Sequence, residues 1–188
     1  MTMRAFLRVL PWVLALLPPG SSLAQAGSQP VTLVACAPGW PGTTEEAQPS
    51  MDALAAALAS AARWPAGSLR AVYLPAEPEG VARLGLPDAA LALVTVPFYV
   101  KHARALALTP RLAVVVQGGK GPGERWELVA KRGRLTAPAS LRGFTILSTA
   151  GYAPGFVRGA LAEWGTLPPD VSIEQSSQTL SALRKAAT

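Results

Sequence analysis

Residues 144–165 read FTILSTAGYAPGFVRGALAEWG. This order of residues predicts a strand, a small polar loop and a helix in succession. In the loop, Ser148 and Thr149 offer hydroxyls, and we expect Gly151 to turn the backbone with a positive φ. A helix that follows such a loop directs unpaired N–H groups and the positive end of its dipole toward it. The pattern predicts a loop that binds an anion, with an ordinary capped turn between strand and helix as the alternative.

The rest of the chain alternates apolar runs with helical segments. Strands are predicted at residues 31–36, 69–74, 90–96, 112–117, 126–131 and 171–175. Helices are predicted from Thr44 to about Trp64, at 79–84, at 100–106, after residue 152 and at 179–187. Apolar strands separated by helices indicate an α/β fold with a parallel sheet covered on both faces. The glycine-rich residues 118–123 join two of the strands and predict a flexible hairpin, not a phosphate loop.

The first residues have a different character. Two arginines precede the apolar run 9–17, and an A-x-A motif at residues 24–26 precedes Gly27. This is the pattern of a secretory signal, and the run is too short for a membrane span. We expect a periplasmic or secreted mature protein that begins at Gly27 and has no stable membrane insertion after signal cleavage. A retained membrane anchor is the alternative.

Composition limits the chemistry. Of 188 residues, half are hydrophobic, enough for a substantial core, and the formal charge of +6 includes the arginines of the expected signal. The basic residues are scattered and lack interleaved aromatic rings, so we expect no nucleic-acid partner. Cys36, the single cysteine, follows an apolar run and is expected to be a buried, inert thiol. The single His102 leaves little scope for metal or triad chemistry, and no G-x-S-x-G motif surrounds Ser148. We expect no enzyme and no cofactor.

Three short sequence motifs lie near expected turns at the ends of predicted elements. They are PGWPGT at 38–43, LVTVPFY at 93–99 and SLRGFT at 140–145, the last leading into the loop at 148–152. Together they resemble the phosphate/phosphonate-type periplasmic substrate-binding proteins of ABC transporters, within the class of two-lobed periplasmic binding proteins. The resemblance implies two α/β lobes of parallel sheets with flanking helices around a ligand.

In the terms of that resemblance, the chain divides into four parts: a signal peptide at 1–26, a first lobe with a crossing strand at 27–117, a hairpin and connector at 118–143, and a partial second lobe at 144–188. The second lobe has only two predicted strands, so we expect it to be truncated, of low local stability and a poor ligand binder by itself. Residues 176–178, Ser-Ser-Gln, stand where the family often has a histidine.

The resemblance also implies a site for a small anionic solute between the lobes. By position, Ser148 and Thr149 match the anion-binding loop, Tyr99 matches a closing aromatic residue, and Trp40 matches a ring from the first loop. The expected ligand-binding set also contains Thr95, Ala150, Gly151 and Tyr152. Simple packing is the alternative for Tyr99 and Trp40.

The predicted function is capture of a phosphate- or phosphonate-like anion for an ABC transporter, whose permease would be the partner. A sensor kinase is the partner if the chain serves sensing instead. The alternatives are a sensor or interaction domain of the same fold that does not take part in transport, and a relic fragment without ligand binding.

Overall fold

The computed structural model describes residues 29–113 and 126–187. Within these ranges the chain is α/β, with two parallel sheets and flanking helices, as the sequence predicts. The elements in chain order are β1 (Val31–Cys36), α1 (Thr44–Ala61), β2 (Leu69–Leu74), α2 (Glu77–Leu84), β3 (Ala89–Val94), α3 (Val96–His102), a 3-10 helix (Pro138–Leu141), β4 (Thr145–Ser148), α4 (Pro154–Ala160), β5 (Ser172–Gln175) and α5 (Thr179–Ala187). The predicted signal at 1–26 and the glycine-rich loop at 118–123 lie outside the described residues.

The first sheet has the strand order β2-β1-β3, and all its strands are parallel. Its central strand, β1, is buried. Val34 of β1 pairs with Val72 on one side and Ala92 on the other, and Val34 is fully inaccessible to solvent. A strand paired on both edges and covered on both faces needs a continuous apolar sequence, which VTLVAC provides. The first sheet with α1, α2 and α3 is called the first unit below.

Helix α1 begins at Thr44, as predicted, and its cap is a reciprocal pair. Thr43 Oγ1 accepts a hydrogen bond from the backbone N–H of Glu46, and Glu46 Oε2 accepts one from the N–H of Thr43. The buried face is formed by Ala55 and Ala59, while Leu58 on the same helix is 38% exposed. Small side chains four residues apart let the helix lie close to β2, and this packing outweighs the hydrophobicity of leucine.

Strand β3 differs from the prediction of a sheet covered on both faces. Leu91 and Leu93 are 40% and 38% exposed, because β3 is an edge strand and the described helices pack mainly on the β1–β2 half of the sheet. Helix α3 also differs, since it begins at Val96 rather than residue 100. Pro97 lies in its first turn, where a proline costs no helical hydrogen bond, and does not precede the helix as a breaker.

The second sheet consists of β4 and β5 in parallel, with Ile146 paired to Ile173. It has a core of its own, separate from that of the first sheet; its buried members are Leu141, Ile146, Ala150, Val157, Leu167 and Val171. This sheet with α4 and α5 is called the second unit. The two strands predicted for this part of the chain are confirmed.

The predicted hairpin strand at 126–131 is wrong, because residues 126–130 form no strand. Trp126 and Leu128 instead pack as irregular chain against the second core, where the Trp126 ring meets the edge of Phe156 with 5.3 Å between centroids. The alternating apolar pattern that suggested a strand is satisfied by this packing. Most of the partner strand predicted at 112–117 lies outside the described residues. No helix among residues 29–113 and 126–187 is long and apolar enough to cross a membrane.

Candidate functional site

The candidate site lies where the strands of both units end. The loop after β1 carries Gly39 and Trp40, Thr95 directly follows β3, and the loop after β4 carries Thr149 and Tyr152. Contacts between Gly39 and Thr149 and between Thr95 and Tyr152 bring these carboxyl ends together. In open α/β sheets, ligands characteristically bind just outside the carboxyl ends of the strands.

The side chain of Tyr152 links the two units. Its hydroxyl lies 3.0 Å from Oγ1 of Thr95, and either group can donate. Burial raises the pKa of Tyr152 to about 12, and the nearby Cys36 and Glu77 act in the same direction. The phenol is therefore neutral at physiological pH, and it is available both as a donor and as an acceptor.

Lys101, on α3, is a polar neighbour of Tyr152 that the sequence did not indicate. Its ammonium donates to the backbone carbonyl of Tyr152 at 2.6 Å and lies 5.7 Å from the centroid of the Tyr152 ring. It also pairs with Glu77 Oε1 at 2.7 Å. The start of α3 at Val96 places Lys101 within two turns of Thr95, and the predicted start at residue 100 concealed this proximity.

Glu77, on α2, is shared by two partners. Its Oε1 faces both the ammonium of Lys101 and Nε2 of His102. Burial opposes ionisation of Glu77, but the hydrogen bonds from Lys101 and His102 outweigh it and lower the pKa of the carboxyl. His102 therefore has a hydrogen-bond partner in Glu77. Glu77, Thr95, Lys101 and Tyr152 are called the bridging cluster below.

The Ser/Thr loop differs from its prediction. Helix α4 begins at Pro154, so Ser148 and Thr149 do not lie at its first turn, and Ala153 caps it without a side-chain hydrogen bond. Ser148 Oγ accepts from the N–H of Ala150 at 3.1 Å. Two successive turns between Ser148 and the helix separate the hydroxyls from the helix dipole, whose effect is confined to the first turn.

Ala150 and Gly151 serve packing. The Ala150 side chain is buried in the second core. Gly151 does not have the predicted positive φ. A Cβ at this position would lie 2.2 Å from the backbone carbonyl carbon of Glu174, so glycine is needed because β5 passes close by.

Trp40 and Tyr99 are near the site in sequence but do not join the bridging cluster. The Trp40 side chain is 57% exposed, and Tyr99 is half-buried on α3. In the described part of the chain, neither side chain makes a hydrogen bond or ring contact with Thr95, Thr149 or Tyr152. The structure therefore brings together Thr95, Thr149 and Tyr152 from the predicted set.

Two other features do not form a site with these residues. An open groove of about 720 Å³ lies between α1 and β2, but none of the predicted ligand-binding residues lines it. Gln48 lies in this groove and donates both to Asp52 and to the backbone carbonyl of Ala71.

The Cys36 thiol is buried, and burial raises its pKa to about 12, which confirms the predicted buried thiol. Among the described residues, no group of histidine, cysteine and carboxylate side chains could hold a metal ion.

Compared with known proteins, the chain matches no protein-family model and no curated protein sequence. The resemblance to periplasmic substrate-binding proteins therefore stays a prediction.

Proposed function

We propose that the chain is a secreted solute-binding protein of the two-lobed periplasmic type, which captures a small phosphate- or phosphonate-like anion between its two units. Delivery to an ABC transporter permease, or signalling to a sensor kinase, is the role that such capture would serve. The observation that supports this proposal is the convergence of three strand ends from two different sheets. They carry Gly39 after β1, Thr95 after β3, and Thr149 with Tyr152 after β4.

The chemistry of the convergent groups suits an oxyanion. Hydroxyls of Thr95 and Tyr152 can donate to phosphate oxygens, and the Lys101 ammonium is a cation within the same cluster. Each hydrogen bond to a charged group contributes about 1.5–3 kcal/mol. A few such donors would therefore give the protein a measurable affinity for the anion. The ligand would have to separate Thr95 from Tyr152, because these hydroxyls pair with each other in the structure.

That pairing also favours a second candidate, a sensor or interaction domain of the same fold, or a relic fragment, without ligand binding. A fragment that has lost its ligand would satisfy its buried hydroxyls internally, because unpaired buried polar groups are costly. The two candidates differ in whether any anion binds at the strand ends.

Calorimetric titration of the purified full chain with inorganic phosphate, methylphosphonate and sulfate distinguishes them. We expect saturable binding of phosphate or the phosphonate, weakened about tenfold or more in Thr95→Val, since one hydrogen bond to a charged ligand is lost. Thr109→Val is the matched control, because Thr109 is exposed and outside the site. No binding of any of these anions would overturn the proposed capture and favour the second candidate.

Secretion belongs to the same proposal. Expression of the complete sequence in a bacterium, followed by mass spectrometry of the exported fraction, is expected to show a main N-terminus at Gly27. Uncleaved protein in the membrane fraction would contradict this and support the retained anchor.

A further inference from the structure

We infer that Lys101 and Tyr152 hold the two units together, so that the chain is closed at its strand ends by its own side chains. This inference does not depend on the proposed function. It assigns a clamping role to Lys101, which joins α2, α3 and the loop after β4 through one ammonium group.

The first support is that two separate polar links meet on one residue. Thr95 contacts the hydroxyl end of Tyr152, and Lys101 contacts its backbone carbonyl. Thr95 immediately precedes α3 and Lys101 lies near the end of the helix, so α3 is attached at both ends to the same residue of the second unit. Two attachments fix the orientation of the units, whereas one would leave a pivot.

The second support is the placement of the lysine. Lys101 loses side-chain freedom on binding a carbonyl, and this loss of entropy opposes the contact. Glu77 reduces this cost, because its carboxylate holds the ammonium from α2, and His102 contacts the same carboxylate oxygen. The acceptor is a backbone carbonyl, so the link is independent of the side chain at position 152.

The third support is the close approach of the two backbones beside this link. A Cβ on Gly39 would lie 2.5 Å from the backbone oxygen of Thr149. Only a glycine permits this distance, and the loop after β1 therefore packs directly on the loop after β4. In this arrangement the ends of β1 and β4 touch each other.

Hydrogen exchange of the full chain without ligand tests the clamp. In Lys101→Met, which keeps the apolar stem, we expect the amides of residues 150–157 to exchange about two- to tenfold faster, the factor that one hydrogen bond contributes to local opening. Tyr152→Phe is expected to act similarly by removing the Thr95 link. Lys131→Met and Tyr99→Phe are the matched controls, and both are expected to exchange like the wild type.

The amides of β1 report whether a variant has lost its fold, because they belong to the first core. A double-mutant cycle provides a second measurement: Thr95→Val combined with Tyr152→Phe is expected to accelerate exchange no more than either change alone. Unchanged exchange at 150–157 in Lys101→Met and Tyr152→Phe would overturn the inference. Strictly additive effects of Thr95→Val and Tyr152→Phe would overturn it as well.

Discussion

The hydroxyl of Tyr152 lies 3.0 Å from Oγ1 of Thr95, across 57 residues of sequence and between two separate sheets. Thr95 follows β3 and Tyr152 follows β4, so their contact shows that the carboxyl ends of the two sheets face one another. The same juxtaposition supports both the proposed binding site and the clamp. In the first role the hydroxyls bind a ligand, and in the second they bind each other.

Gly39 is expected to be intolerant of a side chain for two reasons. Its φ is +85°, and a Cβ would lie 2.5 Å from the Thr149 carbonyl oxygen. Gly67 has a similar φ of +77° but open space around it, so Gly67→Ala measures backbone strain alone, about 1–2 kcal/mol. We expect Gly39→Ala to cost about 3 kcal/mol or more in urea unfolding. Equal losses for the two variants would show that the Thr149 contact yields freely.

Gly151 is expected to be sensitive for a different reason, since its φ is not positive. Alanine there would place Cβ 2.2 Å from the backbone of Glu174 and push β5 away from the loop after β4. We expect Gly151→Ala to cost about 1–3 kcal/mol by overpacking, with Gly155→Ala as a control that meets no atom within 4 Å. Chemical denaturation of both variants measures the difference. A Gly151→Ala protein as stable as the control would contradict the close packing.

The strands of the first sheet were predictable because VTLVAC, LRAVYL and AALALV are short, mainly apolar runs separated by helical segments. The start of α3 was not, because a proline is compatible both with a break before a helix and with its first turn, where Pro97 lies. That shift of four residues hid Lys101 from the predicted site. The reason for Gly151 also could not be read from sequence, since it depends on where β5 passes in space.

At the amino ends of β1 and β3, away from the candidate site, a buried hydroxyl is expected to contribute to the stability of the fold. Thr32 is 4% exposed, and its Oγ1 donates to Asp88 at 2.6 Å and accepts from Arg83 at 2.7 Å. Thr32→Val keeps the shape but leaves both partners one hydrogen bond short, so we expect a loss of about 1–3 kcal/mol. The exposed Thr145 supplies the control, because Thr145→Val is expected to change stability by no more than about 0.5 kcal/mol. Denaturant titration at neutral pH compares the two, and similar losses would contradict the role of Thr32.

Asp88 should make this network sensitive to acid. Hydrogen bonds from Arg83 and then Thr32 lower the pKa of Asp88 from 3.8 to about 2. Because the pKa of Asp88 is depressed in the folded state, its carboxylate stabilises the protein fully above pH 3.8. This stabilisation is lost as the pH falls toward 2. We therefore expect the wild type to exceed Asp88→Asn in Tm at pH 7, with the gap closing between about pH 4 and pH 2. A gap that widens in acid would show that the carboxylate is not stabilised by its partners.

Glu77 is expected to give the bridging cluster its own pH dependence. Although burial disfavours its charge, hydrogen bonds from Lys101 and His102 lower the pKa of Glu77 below the ordinary 4.5. The other ionisable groups with electrostatic effects in this region include Cys36 of β1, Glu79 of α2 and Tyr152 of the loop after β4. Because the pKa is depressed in the folded state, the stabilisation is present above 4.5 and is lost as the pH falls through the folded-state value.

Comparison of Glu77→Gln with Glu79→Gln tests this dependence, since Glu79 is exposed on the same helix and forms no salt bridge with another described residue. We expect Glu77→Gln to have a lower Tm than the wild type at pH 7, because the amide cannot pair with the Lys101 ammonium. The two Tm values should converge in acid, where the wild-type carboxyl is itself protonated. The Glu79→Gln protein should follow the wild type at every pH. If the deficit of Glu77→Gln were the same at pH 7 and pH 3, its cause would be packing, and the charge of Glu77 would not contribute to holding Lys101 against Tyr152.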